Sequence, residues 1–433
     1  MAEGFSLALP VVVPLAGAAS GVAIWSKPRA LKVWALLVSL ASFVTLVALS
    51  GNPPASAAGM PFLALVPVAA FLSLLGQSPH EDNRAAWVMT LLLLGLGLGV
   101  LVGRDGIGLI LLALILSLVS LVIHRYRARS VSHPWWGIGT CALGAVCLIV
   151  ALLATPPAAT VAQLVACAIL LPLAPLHGGY VAALAGLPGN LPAFLAFLLP
   201  VLGYSGLLIL SPGMPEAAVN ALIILGLAGA FYGSLKALTQ SRVRLLLAYA
   251  NLSFFSILWW YVAATRTAPP QASIYLVAVG LVTSGFLLAW HAVQARYGDS
   301  DLRAIRGLAH PMPLFATLLF LLALAAMGLP PFGVFSGFMG LLLTPALPLS
   351  GALVAVLVWL VASWYILSLV HRLLFGRHRP DLRYEDLRQA EAWPLVLIVL
   401  MLTALGLVPP RGAEPGTLAP PARTAAESLL WNR

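Results

Sequence analysis

The chain has 433 residues, 61% of them hydrophobic and 8% charged, with 23 Lys and Arg against 13 Asp and Glu for a formal net charge of +10. Soluble domains carry ~25% charged residues, so this inventory cannot cover a water-exposed surface, and the mean hydropathy of +1.01 says the same. The excess positive charge lies in short stretches between apolar runs, where membrane topology accounts for it and nucleic-acid binding does not.

A membrane helix needs ~20 mainly apolar residues. That ruler predicts helices near 5–25, 31–50, 61–76, 85–103, 106–124, 136–155, 159–187, 191–211, 216–238, 243–264, 272–296, 311–347, 349–375 and 392–410, with an exposed tail over 411–433. The opening MAEGFSLALP has an acid and no basic residue, so its helix is expected to be retained, not cleaved as a leader. Cys141, Cys147 and Cys167 fall inside predicted helices without paired spacing, which points to packing. The run LGLGLGV at 94–100 follows no strand and reads as close helix packing, not a nucleotide loop.

Two predicted segments are too long and carry breaks. One holds Pro172, Pro175, Gly178 and Gly179 in LLPLAPLHGG; the other holds Gly328, Pro330, Pro331, Gly333 and Gly337 in GLPPFGVFSG. Proline removes a donor and clashes with the preceding turn, so both helices should unwind there. Each break falls in the fourth helix of a block of five, 85–211 and 216–375, after three N-terminal helices over 1–84 and before the final helix at 392–410. Five is odd, so the blocks must be inverted relative to one another, the arrangement of transporters built on discontinuous helices. The fold class read from the sequence is therefore an all-α integral membrane protein of about fourteen transmembrane helices.

Basic residues set the orientation. One set of alternating loops holds Lys27, Arg29, Lys32, Arg84, Arg125, Arg127, Arg129, Lys236, Arg242, Arg244, Arg296, Arg303, Arg306, Arg372, Arg377, Arg379, Arg383 and Arg388, or 18 residues. The opposite set holds 5: Arg104, Arg266, Arg411, Arg423 and Arg433. This split predicts both termini on the non-cytoplasmic side of a bacterial inner membrane.

Three ordered runs carry a resemblance. They are PLAPLHGGYVAAL (Pro172–Leu184), LTQSRVRLLLAYANLS (Leu238–Ser253, with Gln240, Arg244, Ala248, Tyr249 and Ser253 at matching positions) and Asp301–Phe338 (with Gly307, Leu308, Met312, Pro313, Gly328, Leu329, Pro330, Pro331 and Phe335 matching). Together they resemble the antiporter-like subunits shared by respiratory complex I, Mrp-type cation/proton antiporters and energy-converting hydrogenases. The resemblance covers roughly residues 85–376 and implies membrane partner subunits and a midplane file of ionisable groups: a glutamate, lysines and histidines.

That file is not present. Leu114 stands at the place of the implied glutamate, Cys167 to Leu171 fill the stretch where a lysine would precede Pro172, and Pro200 or Val201 replaces the next lysine. Tyr275 and Val279 stand at the histidine positions, Thr283 at a nearby lysine position, and Gly337 and Phe338 follow the second break. Every acid reads as lying in a loop, a tail or a helix end. Of the three lysines, only Lys236 reads as inside a helix, where it can either snorkel to the interface or join a path. His177, at the first break, can relay protons, since its unperturbed pKa is ~6.5, or hydrogen-bond the carbonyls the break frees. His177, Lys236, Arg244, Tyr249, Tyr275 and Thr283 are the candidate proton or water path, with Asn251, Ser253 and Ser284 as further polar groups.

Three functions follow. The first is an antiporter-like subunit of a multi-subunit proton-translocating, complex I-related assembly with its own channel degraded or rewired. The second is the membrane subunit of an inorganic-carbon-accumulating complex, paired with a cytoplasmic zinc protein related to carbonic anhydrases. The third is a scaffold without transport. No cofactor is expected and no catalytic constellation is visible; at most the chain is a subunit of a translocating oxidoreductase of the NADH:quinone or hydrogenase type.

Overall fold

The computed structural model describes residues 2–49, 63–77, 83–103, 106–126, 134–267, 269–298, 302, 305–344, 347–376 and 385–407. Sixteen α-helices, one short 3-10 turn at Ser211–Gly213 and no strand occur among them. The predicted tail at 411–433 lies outside the described residues, as do Arg104, Arg127, Arg129, Arg303, Arg377, Arg379 and Arg383.

The N-terminal part holds α1 (Ala2–Ala23), α2 (Pro28–Leu49), α3 (Leu65–Leu75) and α4 (Arg84–Val102). Next come α5 (Gly106–Arg125), α6 (Pro134–Leu153), α7 (Ala158–Leu170), α8 (Gly178–Gly186) and α9 (Leu191–Leu210). The remainder is α10 (Glu216–Thr239), α11 (Val243–Thr265), α12 (Pro270–Tyr297), α13 (Pro313–Ala326), α14 (Gly333–Leu342), α15 (Leu349–Leu374) and α16 (Gln389–Leu407). Proline opens α2, α6, α12 and α13, a position where its missing N–H has no helical acceptor to lose.

The predicted segments are recognisable with two kinds of adjustment. The long runs 159–187 and 311–347 are the pairs α7/α8 and α13/α14, and the predicted 61–76 is the shorter α3, Leu65–Leu75. Among the described residues, ten helices are long and apolar enough to cross a membrane.

α9, α11 and α12 form the centre and are almost wholly buried, with Trp259, Trp260, Tyr261, Phe194 and Phe255 among their enclosed side chains. α10 and α15 pack against α11, α5 and α6 pack against α8, and the four leave Ile107, Ile110, Val146, Ile224, Leu357 and Trp364 exposed. A bundle as apolar outside as inside is stable only where lipid or protein covers it.

Close approach depends on small residues, because lipid offers no hydrophobic drive to bring helices together. On α4, a Cβ at Gly95 would lie 2.6 Å from Leu15, one at Gly97 2.8 Å from Leu198, and one at Gly99 2.7 Å from Leu111. The LGLGLGV run thus seats α1, α9 and α5 around one helix.

Candidate functional site

The helix breaks form at the prolines. After Leu171 N–H donates to Cys167 O at 2.8 Å and Leu173 N–H to Ala168 O at 3.0 Å, regular bonding ceases until α8. The second break follows Met327 and ends at α14. Pro172, Gly178, Gly179 and Gly333 are buried, whereas Pro175, Pro330 and Pro331 are exposed. The Ala174–Pro175 and Pro330–Pro331 peptides are cis. Gly178 and Gly179 lie against α6, where added Cβ atoms would fall 2.2 Å from Trp136 and 2.4 Å from Cys141 Sγ.

Each break frees a carbonyl, and in each case an indole takes it. Trp259 Nε1 on α11 donates to Leu171 O at 2.9 Å. Trp359 Nε1 on α15 donates to Met327 O at 2.8 Å. Buried backbone oxygens need such partners in a bilayer, where water does not supply them. His177 was one reading for this task at the first break. The indole performs it, and the buried His177 Nδ1 has no hydrogen-bond partner among the described residues.

His177 meets aromatic rings instead. Its ring centroid is 5.6 Å from Tyr232 and 6.0 Å from Tyr249, and the two tyrosines are 6.4 Å apart. Lys236 Nζ lies 6.0 Å from the Tyr232 ring. The structure therefore brings together three of the six path candidates, His177, Lys236 and Tyr249, through Tyr232, which the sequence reading did not single out. Tyr232 and Lys236 are exposed on α10, so the group opens to the outside of the chain.

The other three candidates lie elsewhere. Thr283 Oγ1 on α12 donates to Asn251 Oδ1 on α11 at 2.6 Å, and Asn251 Nδ2 donates to Tyr180 Oη on α8 at 2.6 Å. Tyr180 Oη in turn donates to Ala196 O on α9 at 3.3 Å. This chain joins four helices at the buried centre with no ionised group in it. Tyr275 donates to Phe254 O at 3.2 Å, and Ser284 to Ala193 O at 2.7 Å. Arg244 is a tie at helix ends, donating to Leu187 O at 2.9 Å and to Gln294 Oε1 at 2.7 Å.

Positions where the resemblance implies charges are mostly core positions. Cys167 to Leu171, Pro200, Val201, Tyr275, Val279, Thr283, Gly337 and Phe338 are all buried. Leu114 differs: it is 50% exposed, on the outer face of α5.

Among the described residues two charged side chains are buried, and both lie at helix starts. Glu391, in the first turn of α16, pairs with Arg296 at 2.6 Å. Lys32 corrects the sequence reading, which placed only Lys236 within a helix. It lies in α2 with 7% exposure, and its ammonium donates to Leu75 O and Gln77 O. These carbonyls end α3, where a cation meets the negative end of the helix dipole. Gln77 also accepts from Trp87 Nε1. Glu81, Asp82, Asp105, Asp299, Asp301, Asp381, Glu414 and Glu427 lie outside the described residues. Among those that are described, no three His, Cys, Asp or Glu side chains gather as a metal site would require.

The transmembrane family of NADH:quinone oxidoreductase and Mrp antiporters matches residues 154–365. NADH-quinone oxidoreductase subunit M of Escherichia coli K12 is 28% identical over 258 residues, covering 57% of this chain and 50% of that protein. The chain thus spans about half the length of the curated relatives it matches. A chain in the Mrp complex of Dietzia sp. DQ12-45-1b superposes with a TM-score of 0.79 at 20% identity, covering 94% of this chain and 95% of that one. A chain of respiratory complex I from Thermus thermophilus with bound NADH gives 0.76 at 23% identity, covering 92% and 95%. At such identities these likenesses speak for the fold.

Proposed function

Since residues 154–365 match the transmembrane family of NADH:quinone oxidoreductase and Mrp antiporters, we propose that the chain is an antiporter-like subunit of a multi-subunit proton-translocating membrane assembly whose own channel is degraded. The observation that carries this reading is the Thr283–Asn251–Tyr180 chain. Proton transfer across hydrocarbon needs titratable groups in register. Here the meeting point of α8, α9, α11 and α12 is tied by a hydroxyl, a carboxamide and a phenol, and the positions where the resemblance implies charges hold uncharged side chains. The blocks 85–211 and 216–375 act as inverted repeats, and both termini face away from the cytoplasm of a bacterial inner membrane. The partners are further membrane subunits, with sibling antiporter-like chains carrying the flux.

The test has two arms. Affinity purification of the full chain from its native membrane should bring down other membrane subunits; a chain that runs as a solitary monomer removes the assembly. Proteoliposomes holding the chain alone should show no proton flux above lipid background. Robust flux abolished by His177→Ala would overturn the degraded-channel reading and identify the His177–Tyr232–Lys236 group as a rewired path.

A further inference from the structure

Between α13 and α15 runs a groove of about 430 Å³. Its walls include Phe320, Trp364, Leu367 and Phe375, and His371 and Arg372, in the last turn of α15, line it as well. Residues 364, 367, 371 and 375 recur at helical spacing, so α15 presents them as one stripe. Trp364 is 67% exposed and Phe375 58%. Arg372 lies in the last turn of α15 and makes no hydrogen bond or ion pair among the described residues, and the His371 ring sits 5.7 Å from Phe375.

The end of α15 would ordinarily repel an anion, because its last carbonyls carry the negative pole of the helix. Two of them are already engaged: Leu308 N–H donates to Leu373 O at 3.0 Å and Ala309 N–H to Leu374 O at 3.2 Å. Arg306 adds a further cation nearby, its Cβ 3.4 Å from where a side chain on Gly376 would begin. The groove is therefore apolar along its length and cationic at its mouth. A neutral apolar guest would leave Arg372 without a counter-charge, and a soluble anion would leave the aromatic walls bare.

We propose that this groove binds one anionic phospholipid, with its phosphate at Arg372 and His371 and an acyl chain along Phe320, Trp364 and Leu367. Eight helical residues separate Arg372 from Trp364, a rise of about 12 Å, so the stripe runs from the headgroup region into the hydrocarbon. Basic pockets between helices at the cytoplasmic surface recognise lipid headgroups in this way, and Arg372 belongs to the basic loop set.

Native mass spectrometry of the delipidated full chain, titrated with dioleoylphosphatidylglycerol or dioleoylphosphatidylcholine, tests the assignment. The wild type should retain the phosphatidylglycerol about fivefold more strongly than the phosphatidylcholine for each basic side chain that faces it. Arg372→Gln should erase most of that preference without changing phosphatidylcholine retention, and Arg372→Lys should keep it. The unchanged phosphatidylcholine signal shows that the variant is folded. Equal retention of the two lipids by the wild type overturns the proposal, as does undiminished preference in Arg372→Gln. Displacement of the lipid by millimolar glycerol phosphate overturns it in favour of a soluble anion. A photo-crosslinker at position 364 that captures only protein in native membranes overturns it in favour of a subunit contact.

Discussion

Arg296 and Glu391 meet at 2.6 Å with 10% and 8% of their side chains exposed, locking the end of α12 to the start of α16. The guanidinium also donates to Ala292 O, Glu385 O and Asp386 O, and Arg388 N–H donates to the Glu391 carboxylate. Asp386, in the same segment, accepts from Leu314 N–H at 2.6 Å and Phe315 N–H at 3.1 Å, which caps the positive end of α13. One short stretch thus fastens three helices.

Removing one partner of a buried pair strands the other charge, at a cost of about 3–5 kcal/mol. Glu391→Ala is therefore expected to lower the unfolding midpoint in detergent sharply. The double variant Arg296→Met/Glu391→Leu should recover much of the loss, because no charge is left stranded. A double variant as unstable as the single one would show that the carbonyl contacts of Arg296, not the ion pair, carry the joint.

The two indole caps predict a pair of local effects. Trp259→Phe and Trp359→Phe keep an aromatic ring but remove the donors to Leu171 O and Met327 O. Hydrogen bonds between membrane helices average ~0.6 kcal/mol and reach ~1.7, so each variant should lose stability on that scale. Hydrogen exchange should rise around residues 171–177 in the first and 327–332 in the second. Increases spread evenly over the bundle would mean that ring packing, not the cap, was lost.

A third expectation concerns Gly337, at which a Cβ would lie 2.6 Å from the backbone of Tyr275. Here α14 rests directly on α12, so a side chain must push the half-helix away. Gly337→Leu should cost about 1–3 kcal/mol or more, the usual penalty of overpacking, read as a lower unfolding midpoint. Gly139→Leu, where a Cβ meets nothing within 4 Å, is the matched control and should leave it unchanged.

Helices and breaks were legible because both depend on short-range chemistry. An apolar run of bilayer length declares a span, and Pro172, Pro175, Pro330 and Pro331 interrupt the backbone wherever the chain goes. The caps were not legible. Trp259 and Leu171 are 88 positions apart, and Trp359 and Met327 are 32 apart; only packing reveals which indole reaches which carbonyl. A tryptophan far from both ends of a span was the available signal, since the residue otherwise favours the interface, and Trp359 fits it. Lys32 was misread for the same reason. Next to Lys27 and Arg29 it reads as one of the basic loop residues, and its burial depends on where the end of α3 docks. The path candidates divided because Tyr232, outside the matching runs, gathers His177 and Lys236, whereas Asn251 gathers Thr283.

The Asn251 bonds separate structure from conduction. Thr283→Val and Asn251→Leu each break the 2.6 Å bond between α12 and α11, and a double-mutant cycle should return a coupling of about 0.5–1.7 kcal/mol. Asn251→Leu should cost more alone, because it also deprives the Tyr180 hydroxyl of its 2.6 Å donor. If this centre is only a joint, both variants, rebuilt into the purified assembly, should leave its proton flux per complex unchanged while lowering its thermal stability. A flux that falls several-fold in Thr283→Val at unchanged stability would instead make the hydroxyl chain part of a conducting path. That result would refute the degraded channel without touching membership of the assembly.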